Sequence, residues 1–166
     1  SCVAAHNNTV TYTVSSVETG YTFVGWYEGV AQKSTSTTYT YRATAAKTVK
    51  ARFKENQYTV SRYASGSVTG GSFTAASPAG QITGGNVSAT PSDGYHFSSW
   101  SVTSGTGSFG STTTASTKFY PTSNSTVKAT FAPNEYEITL DANGGDSDGS
   151  ATATYLDDDL AAFSGA

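Results

Sequence analysis

The chain has 166 residues, a formal net charge of −3 and 52 Ser and Thr positions, so about a third of it is small hydroxylated side chain. A single cysteine, Cys2, excludes an internal disulfide framework and any Cys-based zinc site. No run of about 18 apolar residues is present, which excludes a membrane-spanning helix.

Eleven Tyr and eight Phe stand against three Leu and no Met. Thr, Val, Tyr and Phe suit the half-buried surface of a strand, whereas Leu and Met suit helices. An all-β chain is expected. Its first strand is read at 9–14, Thr9-Val10-Thr11-Tyr12-Thr13-Val14. The motif Gly20-Tyr21-Thr22-Phe23-Val24-Gly25-Trp26 follows, and then Thr48-Val49-Lys50-Ala51-Arg52-Phe53. Both return further along the chain. Gly94-Tyr95-His96-Phe97-Ser98-Ser99-Trp100 repeats the first, and Thr126-Val127-Lys128-Ala129-Thr130-Phe131 the second. Five residues past each Phe comes a Tyr, Tyr58 and Tyr136. A recurrence at this period marks a repeat array.

The array divides into an incomplete unit at 1–56, a complete one at 57–134 and the opening strands of a further unit at 135–166. Within the complete unit, strands are expected near 58–63, 67–74, 82–90, 95–102, 114–120 and 125–131. Turns rich in Gly, Pro and Asn separate them, such as Pro78-Ala79-Gly80 and Pro91-Ser92-Asp93-Gly94. Strands near 136–141 and 150–156 open the last segment. Short strands at this spacing argue a small β-sandwich or barrel. The recurring aromatic and valine positions form the expected core: Tyr21, Phe23, Trp26, Val49 and Phe53 in the first unit, Tyr95, Phe97, Trp100, Val127 and Phe131 in the second. Trp26 and Trp100 fall three residues past the Phe, off strict alternation, so they either cap the core or expose a ring for stacking on a sugar. Recurrence in both units favours packing.

Gly-Tyr-x-Phe-x-x-Trp followed by Thr-Val-x-Ala-x-Phe resembles the divergent internalin-type B-repeat. Tyr136-Glu137-Ile138-Thr139-Leu140-Asp141-Ala142-Asn143-Gly144-Gly145 resembles the opening of the related Listeria–Bacteroides repeat. The resemblance implies a tandem small β domain, β-grasp-like in its better-known members, on secreted or surface-anchored bacterial proteins, where it serves as stalk, spacer or adhesive module. No amphipathic helix of ten residues can be found in 57–134, so an all-strand version is expected.

Catalytic material is sparse. Two histidines, His6 and His96, have no carboxylate partner nearby in sequence, and alternation places His96 on the face opposite Tyr95 and Phe97. No Gly-x-Ser-x-Gly elbow precedes a helix, and the first two units offer little for a carboxylate pair. The chain is read as no enzyme. The loop containing Asp141, Asn143, Asp146 and Asp148 brings four oxygen-bearing side chains together, a composition that calcium uses, although no bidentate Glu closes it and hairpin residues look the same. No other cofactor is expected.

Residues 1–56 carry six basic and three acidic groups, residues 57–134 three and one, and residues 135–166 eight acidic groups and no basic one. Lys50, Arg52 and Lys54 fall on one solvent face of a strand, so nucleic acid is not an expected partner. The strand at 9–14 aligns with 82–90, and the segment 135–156 supplies strands of the kind that precede 82–90. Expected partners are therefore neighbouring repeat units or identical chains joined head-to-tail, together with host or surface glycans or proteins. A non-catalytic repeat module of a secreted bacterial surface protein is the function these residues support. A self-assembling filament subunit and a carbohydrate-binding module are the alternatives.

Overall fold

The structure, a computed structural model, describes residues 4–140 and 149–154. It divides into two compact units, residues 1–57 and 58–166. The described residues form strands almost throughout. Their helical content is one turn, Tyr63–Gly66, in which Ala64 and Ser65 take left-handed backbone angles.

The first unit holds β1 (Thr9–Thr13), β2 (Tyr21–Glu28), β3 (Ala31–Ser34), β4 (Thr38–Arg42) and β5 (Lys50–Glu55). They make two small antiparallel sheets, β1-β4 and β3-β2-β5. β6 (Gln57–Tyr58) stands at the boundary. The second unit continues with β7 (Val60–Arg62), β8 (Ser67–Val68), β9 (Gly71–Ala75), β10 (Ala79–Gly80), β11 (Gly85–Pro91), β12 (Tyr95–Ser104), β13 (Gly107–Phe109), β14 (Ser116–Pro121) and β15 (Ser125–Pro133). A final hairpin joins β16 (Glu135–Leu140) to β17 (Gly149–Thr154).

In the second unit one sheet has the order β13-β14-β11-β9-β8 and the other β12-β15-β7. All pairings are antiparallel except β15 with β7. Alternation sends one set of side chains from each sheet inward, and the two sets meet as in a β-sandwich. Phe73, Val87, Ala89 and Phe119 come from the first sheet, and Trp100, Val127, Ala129, Phe131 and Val60 from the second. Ring contacts cross between them. Phe73 meets Trp100 edge-on at 5.7 Å, and Phe109 stacks on Trp100 at 5.9 Å.

Each tryptophan reaches the interior of its own unit through a bulge. β2 pairs with β5 as Phe23 opposite Phe53 and Trp26 opposite Ala51, with a register shift between Phe23 and Gly25. β12 pairs with β15 as Phe97 opposite Phe131 and Trp100 opposite Ala129, with the shift between Phe97 and Ser99. One extra residue at the same place in each unit returns the Trp to the face of the Phe. Each indole N–H is then satisfied by a carbonyl, Ser36 O at 3.1 Å for Trp26 and Thr114 O at 2.9 Å for Trp100. A buried indole donor left unpaired would cost about 1–3 kcal/mol. Both rings are buried, at 7% and 3% exposure, so neither is presented for stacking on a sugar.

Candidate interaction surface

The two units share more than the bulge. Val14 N donates to Thr37 O and Ala89 N to Ala115 O, each at 2.9 Å, so β1-β4 and β11-β14 are built in the same register. Tyr12 of β1 thus stands where Val87 stands in β11, and Tyr41 of β4 where Phe119 stands in β14.

What differs is the neighbours. β11 is flanked on its far edge by β9, with Ala75 opposite Val87 and Phe73 opposite Ala89. β15 is flanked by β7. Among the described residues, β1 pairs with β4 alone and β5 with β2 alone. In the second unit the turn between β8 and β9 lies on the aromatic pair of β12 and β15. A Cβ added at Gly70 would meet the Tyr95 ring at 2.4 Å, and one added at Gly71 would meet Phe131 Cζ at 2.7 Å. In the first unit the same two positions, Tyr21 and Phe53, line a cleft of about 290 Å³ with Ser16 and Glu18.

Exposure follows from this. Phe131 is 9% exposed and Phe53 is 44% exposed. Phe53 is therefore not a core residue of its unit; it leans edge-on against Phe23 at 5.6 Å, with its outer face open. Trp26, Trp100, Val127 and Phe131 are buried. Tyr21, Phe23, Val49, Tyr95 and Phe97 are half-buried. Phe53 and the empty cleft could have been suspected from the alignment of 9–14 with 82–90. The bulge shows in the sequence only as the Phe-x-x-Trp spacing off strict alternation, and the indole hydrogen bonds leave no mark there.

A second feature of the first unit is a run of tyrosines on β1 and β4. Tyr12 and Tyr41 lie 6.2 Å apart at 9° between planes, and Tyr39 and Tyr41 lie 6.1 Å apart at 17°. Lys47 Nζ sits 4.7 Å above the Tyr41 ring. Tyr12, Tyr41, His6 and Lys47 line an open cleft of about 420 Å³. His96 is exposed and shares a 3.1 Å hydrogen bond between its Nδ1 and Asn134 Oδ1. No group of three His, Cys, Asp or Glu side chains able to hold a metal occurs among the described residues. Asp141, Asn143, Asp146 and Asp148, the calcium expectation, lie outside the described residues.

No curated protein and no solved structure matches the chain. A family of repeat domains does, and it matches twice in tandem: residues 2–57 and residues 57–135. Two matches covering most of the chain, on units that share one bulged Phe–Trp strand, show that it belongs to the divergent InlB B-repeat domain family of bacterial surface proteins.

Proposed function

We propose that the chain is a non-catalytic structural and interaction module of a secreted bacterial surface protein, a spacer or adhesin segment built from repeated β units. The observation that carries this reading is the double use of one core. The same Phe–bulge–Trp strand, the same indole-to-carbonyl bond and the same strand register occur in both units. The recurring tryptophans and the ladders around them thus support a scaffold role. Small-angle scattering on chains carrying one, two and three inserted copies of residues 57–134 tests the spacer role. The maximum dimension should grow by a constant increment per copy. Dimensions that stay fixed as copies are added would exclude it.

An adhesive contact with glycans is a second reading, supported by the near-parallel rings of Tyr12, Tyr39 and Tyr41 beside Lys47. Amphipathic tyrosine faces offer both an apolar surface and a polar tip. Calorimetric titration with oligosaccharides should then show heat that Tyr41→Ala abolishes. No heat for any glycan class would leave those rings a packing role only.

A further inference from the structure

We propose that the open edge of β1 is a docking site for β17 of a second copy of this chain. This rests on the structural-module reading and names the partner of such a module. The second unit shows what fits this edge. There β9 runs antiparallel to β11 with the sequence Gly71-Ser72-Phe73-Thr74-Ala75. β17 repeats it as Gly149-Ser150-Ala151-Thr152-Ala153, with four of the five residues identical.

The sheet orders agree as well. β8-β9-β11-β14 is the run observed in the second unit. β16 pairs with β17, and β1 with β4, so the intact hairpin set against β1 gives the order β16-β17-β1-β4. β16 then takes the outer place that β8 holds, although its Tyr136 matches Tyr58 ahead of β7. Docking needs no opening of the hairpin, because β17 pairs only with β16 among the described residues. The equivalent register sets Ala153 opposite Tyr12, Thr152 opposite Thr13 and Ala151 opposite Val14.

Residue size fits this register. In the second unit the large residue is Phe73 on β9, 5.7 Å from Trp100, and the β11 residues near it, Ala89 opposite and Val87 two places on, are small. In the first unit the large residue is Tyr12 on β1, 5.7 Å from Trp26, and the strand that would flank it carries Ala151. The two arrangements exchange large for small across the same pair of strands. Gly149 falls at the Gly71 position, the one where a Cβ meets the Phe131 ring in the second unit. At this position in the first unit stands Phe53, exposed beside its cleft.

Charge favours the pairing. Residues 1–56 carry a net +3, and residues 135–166 carry eight acidic groups and no basic one. Complementary charge of this kind speeds encounter and suppresses wrong partners. Each copy presents both the edge and the hairpin, so the contact is head-to-tail and open-ended, an addition of strand to sheet edge.

The test uses intact chains. Mass measured by light scattering should rise with concentration and fall back as salt is added. Thr13→Pro should abolish that rise. The Val14 amide bonds to β4, so alternation turns the Thr13 amide to the open edge, where proline removes the docking donor but spares the β4 ladder. For register, Val14→Cys and Ala151→Cys are made on separate chains, each with Cys2→Ser, then mixed and oxidised. A mixed disulfide should form in excess over that from Val10→Cys mixed with Ala151→Cys. A monodisperse monomer at all concentrations overturns the proposal. So does association that Thr13→Pro leaves intact, or a mixed disulfide from Val14→Cys no more abundant than that from Val10→Cys. Failure of the spacer reading in scattering would leave these mass and disulfide results unaffected, so the two claims fail separately.

Discussion

Phe53 and Phe131 stand at the same register position, opposite Phe23 and Phe97, yet one is 44% exposed and the other 9%. The strand beneath each is alike, so the difference arises from what lies over it. Gly71 rests on Phe131, and Phe53 lines a cleft instead.

Alanine at the two positions should therefore cost different amounts. Phe131→Ala removes a buried ring and should destabilise its unit by about 3–5 kcal/mol. Phe53→Ala should cost roughly 1 kcal/mol, because much of that ring is already in water. Denaturant unfolding of each variant, followed by the fluorescence of the single tryptophan in the affected unit after the other is replaced by Phe, checks the ratio. Equal losses would mean that Phe53 is covered in solution.

Trp100→Ala should be among the most damaging single changes, at about 3–5 kcal/mol. It empties the centre of the sandwich, where Phe73, Phe97 and Phe109 all contact the indole. It also leaves the Thr114 carbonyl without its donor. Trp100→Phe keeps part of the packing but loses the hydrogen bond, and should fall between. Calorimetric melting ranks the three.

Much of this architecture was readable beforehand, and particular residues show why. Alternation over Val127, Ala129 and Phe131 marks an inward face, and the aromatics at 95–100 mark another. The strand expected at 95–102 runs to Ser104, and that at 125–131 to Pro133. β3 and β13 were not legible. Ala31-Gln32-Lys33-Ser34 has no apolar alternation, and Gly107-Ser108-Phe109 is too short to show any. Each becomes a strand because a neighbour offers an edge, which is a tertiary effect. The bulges at Val24 and Ser98 showed only as a Trp off strict alternation, for a related reason. An extra residue in one strand is defined only by its partner.

Gly71→Ala should destabilise the second unit by about 1–3 kcal/mol, since the new methyl would press on Thr90 O at 2.6 Å and on Phe131 at 2.7 Å. The loss should shrink when Phe131→Leu is added, because the ring is then no longer the obstacle. A thermal double-mutant cycle measures that coupling. Strict additivity would mean that the clash lies with the backbone of Thr90 alone.

The most direct test of the account is amide hydrogen exchange at β1 and β11, read residue by residue. Val14 N and Ala89 N face the inner ladders with β4 and β14, so the alternate amides of Thr11 and Thr13 face the open edge of β1. Their counterparts Asn86 and Ser88 face β9. In dilute solution Thr11 and Thr13 should exchange with almost no protection, Asn86 and Ser88 should be strongly protected, and raising the chain concentration should slow Thr11 and Thr13 alone. Equal protection of Thr13 and Ser88 in a chain shown to be monomeric would contradict the claim that the first unit carries an open edge where the second is closed.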